Sequence, residues 1–296
     1  MKFFSLPMIQ RIFILFVVTI SVYLISMVSL KHTTGDFDVY YNSSHNYLNK
    51  APVYVPHGGI EEFKYSPLFA LCFSPLTLMN KTSALYVWTI LNILFLYGIF
   101  YLFYRLKQIS FDSPRDFLII ILLFALIGRY VIANLKLGQV NVLLCFLMVL
   151  SMYWEINKRY FLSSVALACG LMIKFFPLLF VFYFLLRRRF KLLAYAFLMV
   201  VVFLFLPSIY SGWDLNLKYL HGWFVLLKST PPILLYAVKN YSLLSFFSWF
   251  FVARHQGYDV FDYQLIKTGL DPAVYYAWGI SCSVFFCFVF SMIGSL

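Results

Sequence analysis

The sequence predicts an all-α polytopic membrane protein, and three observations lead there. Of 296 residues, 63% are hydrophobic and 11% charged, where soluble domains are about half apolar and about a quarter charged. Apolar runs long enough to cross a bilayer recur along the whole length. Those runs are continuously apolar rather than alternating, which excludes a transmembrane barrel. The excess of 23 Lys and Arg over 11 Asp and Glu reads as loop charge that fixes orientation, so no nucleic-acid partner is expected. The five cysteines all lie inside apolar segments without a C-x-x-C pair or a Cys/His cluster. They read as small core residues, with no disulfide framework and no metal site.

Residues 1–296 form a single membrane domain. The first run, 8–30, lacks a small-residue cleavage site and is expected to stay as the first span. Lys2 and Arg11 ahead of it place the N-terminus in the cytoplasm and the loop 31–83 outside. In that loop Phe37, Tyr40, Tyr41, Ser44, Tyr47 and Leu48 recur at three- and four-residue spacings. The opposite face carries Asp38, Asn42, Ser43, His45, Asn46 and Asn49. The pattern predicts about three turns of helix on the outer membrane surface, ending before Pro52. Segment 67–79 would be ~20 Å long as a helix, short of the ~30 Å hydrocarbon core, and is expected to be interfacial or re-entrant.

Runs 84–104, 116–133 and 138–154 follow as spans, with Arg105, Lys107, Arg115, Lys158 and Arg159 on the cytoplasmic side. The run 161–186 is bracketed by Lys158-Arg159 and by Arg187-Arg188-Arg189. If both clusters are cytoplasmic, the chain crosses an even number of times between them. The run is too short for two full spans, so it predicts a hairpin of two short helices bent at Lys174–Pro177, where proline interrupts the helix. The rival is one kinked span with Lys174 near its middle. A span at 192–209, an outer loop at 210–239, a short apolar segment at 240–252 and a last span near 273–293 complete a count of about eight or nine.

Polar residues expected on the outer side are few. Asp36 stands at the start of the surface helix, where helix amides favour an ionised carboxylate. Asp38, two residues on, points to a different face and is expected to be merely solvated. Lys64 and Tyr65 precede the short apolar segment, Gln139 and Asn141 open the run 138–154, and Asn240 opens another. Each has an ordinary structural reading: capping for Asp36, interhelical hydrogen bonds for the amides, snorkelling for Lys174. Their convergence on one side of the membrane favours a site.

The series D-F-x-V-Y-Y, P-V-Y, F-K-Y-S-P-L-F-A-L, G-Q-V-N and L-M-I-K-F-F-P-L-L followed by R-R-R-F resembles glycosyltransferase family 87, of the GT-C superfamily. The resemblance runs from residue 34 to about 190, with Asn240-Tyr241-Ser242-Leu243 similar to a later N-x-S-L element. It implies a GT-C-like bundle with interfacial helices in the first outer loop, and a polyprenyl-phosphate sugar donor in the cell (inner) membrane. It further implies transfer of a hexose, mannose, to an extracytoplasmic glycolipid or glycan with inversion, and Asp36 as the catalytic base. Residues 253–296 match the pattern weakly, and the chain stops directly after an apolar run, as a short form or fragment would.

That chemistry gives each residue a part. An acceptor hydroxyl loses its proton as it attacks the anomeric carbon, which calls for a positioned carboxylate. The leaving lipid phosphate is already a stable anion and needs cations, Lys174 and Lys64, rather than a general acid. Gln139, Asn141 and Asn240 would bond sugar hydroxyls, while Tyr40, Tyr41 and Tyr65 would stack on the sugar or support the loop. No cofactor or metal is required; a divalent ion on Asp36 with Glu61 or Glu62 is the weaker arrangement. Two other readings stand beside the transferase: a lipid or small-molecule transporter or flippase, and an inactive envelope-assembly partner. Proton coupling is disfavoured because no acid falls within a span.

Overall fold

The computed structural model describes residues 35–54, 62–106 and 114–228, together with Thr19. Residues Met1–Val225 form one compact unit and Leu226–Leu296 a second. The expected spans 8–30 and 273–293, the segment 240–252 and Asn240 lie outside the described residues. All regular structure among the described residues is helical.

Helix α1, Gly35–Leu48, carries Asp36 and Asp38 in its first turn and His45 in its last, each matched to the helix dipole. Its buried stripe is Phe37, Val39, Tyr40, Ser43, Ser44 and Tyr47. The stripe is wider than the aromatic spacing predicts: Ser43, assigned to the polar face, is fully buried, because this helix packs against protein on more than one side. The helix stops where Lys50 turns left-handed at φ 56° ahead of Pro52.

Segment 67–79 is short, as expected. Pro67 opens helix α2, Pro67–Phe73, and the chain tightens into a 3₁₀ turn over Ser74–Leu78. Ser74 Oγ donates to Leu71 O and Thr77 Oγ1 to Ser74 O, satisfying carbonyls at the change of pitch. Asn80 then caps α3, Lys81–Arg105, by accepting from Ser83 N at 2.9 Å.

Helix α4, Pro114–Leu137, meets α5, Asn141–Ile156, at Gly138–Val140, with Leu126–Leu137 and α5 bent through 119°. Leu118, Leu122, Leu126 and Tyr130 form an exposed row at four-residue spacing along α4, a face suited to lipid rather than water. The run 161–186 is a broken pair: α6, Tyr160–Ile173, and α7, Leu178–Leu186, separated by Lys174–Pro177. Arg189, beyond α7, lies over the ring of Tyr160 at the start of α6 and pairs with Glu155 at the end of α5. The chain therefore leaves and returns to the same end, which makes the pair a hairpin. At ~21 Å and ~14 Å neither arm could cross alone. Helix α8, Phe190–Phe205, the single turn α9, Ser208–Ser211, and α10, Trp213–Lys228, follow.

Two stretches among the described residues are long and apolar enough to cross a membrane, Lys81–Arg105 and Phe190–Ser211, or three if the bent α4–α5 pair is one span. The eight or nine crossings expected from sequence exceed that number. Runs 116–133 and 138–154, expected as separate spans, here form the bent pair.

The largest core is aromatic. Tyr40 is met nearly edge-on by Tyr65 at 4.8 Å, Phe69 at 5.2 Å, Phe73 at 5.8 Å and Trp88 at 6.5 Å between ring centroids. It ties α1, α2 and the start of α3 into one block.

Candidate active site

The site is built on the Gly138–Val140 turn. Gly138 takes φ 64°, and a Cβ there would sit 2.5 Å from Phe37 Cβ, so glycine serves both the left-handed backbone and the approach of α1. Trp88 Nε1 donates to Gly138 O at 2.7 Å. Gln139 N donates to Asn134 O at 2.8 Å, and Asn134 Nδ2 returns a bond to Gln139 O at 3.2 Å. With its backbone fixed, the turn projects the Gln139 and Asn141 side chains.

Those amides join two charges. Lys174 Nζ donates to Asn141 Oδ1 at 2.7 Å, and Asn141 Nδ2 donates to Gln139 Oε1 at 2.8 Å. The Gln139 amide in turn lies near the Asp36 carboxylate and favours its charged form. Burial pushes the Asp36 carboxyl above the ordinary carboxylate value; the nearby Gln139 amide and the Lys174 charge oppose this without cancelling it. Lys174 caps α6 in extended conformation, its N–H bonded to Gly170 O. Gly170 makes the hairpin tip fit: an added Cβ would lie 2.5 Å from Met148 Cε and 3.1 Å from Pro177 Cγ.

The remaining sequence candidates lie around this row. Tyr40 and Tyr65 share a 2.7 Å hydroxyl bond, and both are buried beneath neighbouring rings. Tyr40 also lies close to the Val140 backbone and to Asp36. In this arrangement both tyrosines support the turn and neither presents a free face. Tyr41 donates to Met79 O at 2.7 Å at the rim. Lys64 meets the assembly through its backbone, accepting from Trp223 Nε1 at 3.1 Å, and its ammonium has no partner among the described residues. Glu61, like Asn240, lies outside those residues. Asp38 is not merely solvated: Lys81, in the first turn of α3, pairs with it at 3.1 Å.

Beside the row opens an apolar cavity of about 390 Å³, lined by Phe73, Trp88, Leu143, Leu147, Cys169 and Ile173 among others. Its walls include the direct neighbour of Lys174, Ile173, and the indole that holds Gly138. Sequence reasoning missed Trp88, Asn134 and Gly170. Only Gly170 left a trace, as a glycine within a helical run four residues before the lysine.

The sequence matches the pattern of glycosyltransferase family 87 over residues 63–293, most of its length. The chain belongs to glycosyltransferase family 87. No curated protein and no solved structure matches it. Together with its lipid-suited helix faces, this makes it a membrane glycosyltransferase. Within this family-87 chain, Lys64, Gln139, Asn141 and Lys174 fall inside the matched segment. Asp36 and its helix precede it, so the row is assembled from both sides of that boundary.

Proposed function

We propose that this family-87 chain moves a hexose, mannose, from a polyprenyl-phosphate donor to an extracytoplasmic glycolipid or glycan. Its site would face outward from the cell (inner) membrane. The observation that carries the reading is the Lys174–Asn141–Gln139–Asp36 row, with an apolar cavity walled by Ile173, the neighbour of Lys174: an anion-binding cation, two neutral amides and a carboxylate near room for a lipid tail.

The acceptor hydroxyl attacks the anomeric carbon on the face opposite the phosphate, and its proton passes to the Asp36 carboxylate. The new carbon–oxygen bond forms as the bond to the phosphate oxygen breaks, and that electron pair leaves on the lipid phosphate. Configuration inverts. Lys174 gathers the developing charge, with Lys64 as a second cation for the same phosphate. A raised proton affinity suits Asp36 to the task, because a general base works best when its pKa approaches the operating pH.

The deciding experiment incubates membranes containing the chain with polyprenyl-phosphate mannose and glycolipid acceptors. Wild-type protein is expected to transfer the sugar and Asp36→Asn to insert normally without transferring it. Wild-type-like transfer by Asp36→Asn would overturn the assignment of the base, and substrate flux without transfer would favour a transporter.

A further inference from the structure

Two hydrogen bonds lead from Lys174 towards Asp36, both pointing the same way, and the Gln139 amide at their end lies beside the carboxylate. The ammonium donates to Asn141 Oδ1 and the Asn141 amide to Gln139 Oε1, while the Gln139 amide stands near the Asp36 carboxylate and favours its charged form. A cation at the head of such a file polarises each amide in turn, so every N–H becomes a stronger donor to the next oxygen. The carboxylate at the end receives the accumulated effect and holds its negative charge more readily.

Resting on the reading of Lys174 as the phosphate subsite, we propose that Gln139 and Asn141 couple that subsite to the base. A donor phosphate engaging Lys174 relaxes the file and increases the proton affinity of Asp36, so the base reaches full strength only with donor in place. The two amides are thus positioning residues that act through Asp36. Ordered arming of this kind restrains proton abstraction from an acceptor, or from water, before a sugar is available to receive the oxygen.

The surroundings of Asp36 leave few other routes. Among the described residues, the groups facing it are Gln139 from the turn, Lys174 from the hairpin tip and Tyr40 from its own helix, with Tyr65 behind Tyr40. Lys81 is engaged with Asp38. A bound anion also acts on Asp36 directly through space, so the test must isolate the part carried by the amides.

Reciprocity supplies a test that needs no turnover. If anion binding raises the proton affinity of Asp36, protonating Asp36 tightens anion binding by the same factor. The probe is a farnesyl methyl phosphodiester, whose single charge does not titrate in the working range, bound to the purified full chain between about pH 4 and pH 8. For wild type, Kd is expected to rise about tenfold across the Asp36 titration, equivalent to about one pH unit of coupling. Asp36→Asn should bind with no such dependence. Asn141→Ala, which cuts the file while keeping both charges, should retain less than about threefold, and Gln139→Leu should behave alike as an independent cut. Full tenfold dependence in both cut variants, or a flat wild-type profile with binding intact, overturns the coupling. Absence of any binding to wild type overturns the donor reading itself and the coupling with it.

Discussion

The two ends of α5 both meet the α6–α7 hairpin through polar contacts, and they do so in opposite ways. At the base, Glu155 touches Arg189 directly, and the guanidinium also lies over Tyr160. At the tip, the Lys174 ammonium donates to a neutral amide, its one hydrogen-bond partner among the described residues, and the Asp36 charge stands two amides away on another helix. Opposite charges in contact satisfy each other and leave little to offer a third party. Charges held apart by amides stay oriented and remain open to a ligand. The first arrangement suits holding, the second binding.

Substitutions at the two ends should therefore separate activity from stability. The largest effect is expected at the tip: Asp36→Asn should lower kcat by about 10²–10⁴-fold, as removal of a general base does. It should do so without loss of stability. The folded protein holds the Asp36 proton more tightly than the unfolded chain, so ionisation opposes folding as pH rises from the ordinary carboxylate value through the raised one. Asparagine removes that cost, and thermal unfolding at neutral pH should show a Tm no lower than that of wild type. In the same terms, wild-type transfer should fall on acidification with a midpoint above the ordinary carboxylate value, and a pH–rate profile reads it.

Next in size, Lys174→Met should reduce kcat/KM for the donor by about 10–100-fold, the loss of a charge-assisted contact of about 1.5–3 kcal/mol. At the base the pattern reverses. Glu155→Gln should destabilise the fold by about 1–3 kcal/mol, tempered because Arg189 is partly exposed. The folded fraction should keep its KM for both substrates; a raised donor KM there would erase the contrast between the ends. Smallest is Lys50→Gly, expected to stabilise by about 1 kcal/mol in the same melt by relieving left-handed strain at φ 56°.

Much of the hairpin was legible in the sequence, because charge parity across 158–191 and a proline after Lys174 constrain the path strongly. The start of α1 at Asp36 was legible for a similar reason: a polar stretch with a three- and four-residue rhythm admits few other structures. The part of Tyr40 and Tyr65 was not. Periodicity says that two side chains share a face but not whether that face meets ligand or protein, and here Phe69, Phe73 and Trp88 occupy it. The row itself was only partly legible. Asp36, Gln139, Asn141 and Lys174 could be named one by one, but their bonding order depends on how the 138–140 turn meets α1, and Asp38 found a partner 43 positions away that no local pattern announces.

The contact between Phe37 and Gly138 sets a tolerance for all of this. The carboxylate is carried on the leading segment and its amide partners on the segment that the family pattern covers, and at this point the seam between them has no room for one more carbon. At residue 138 the enzyme is gauged to the width of a hydrogen atom.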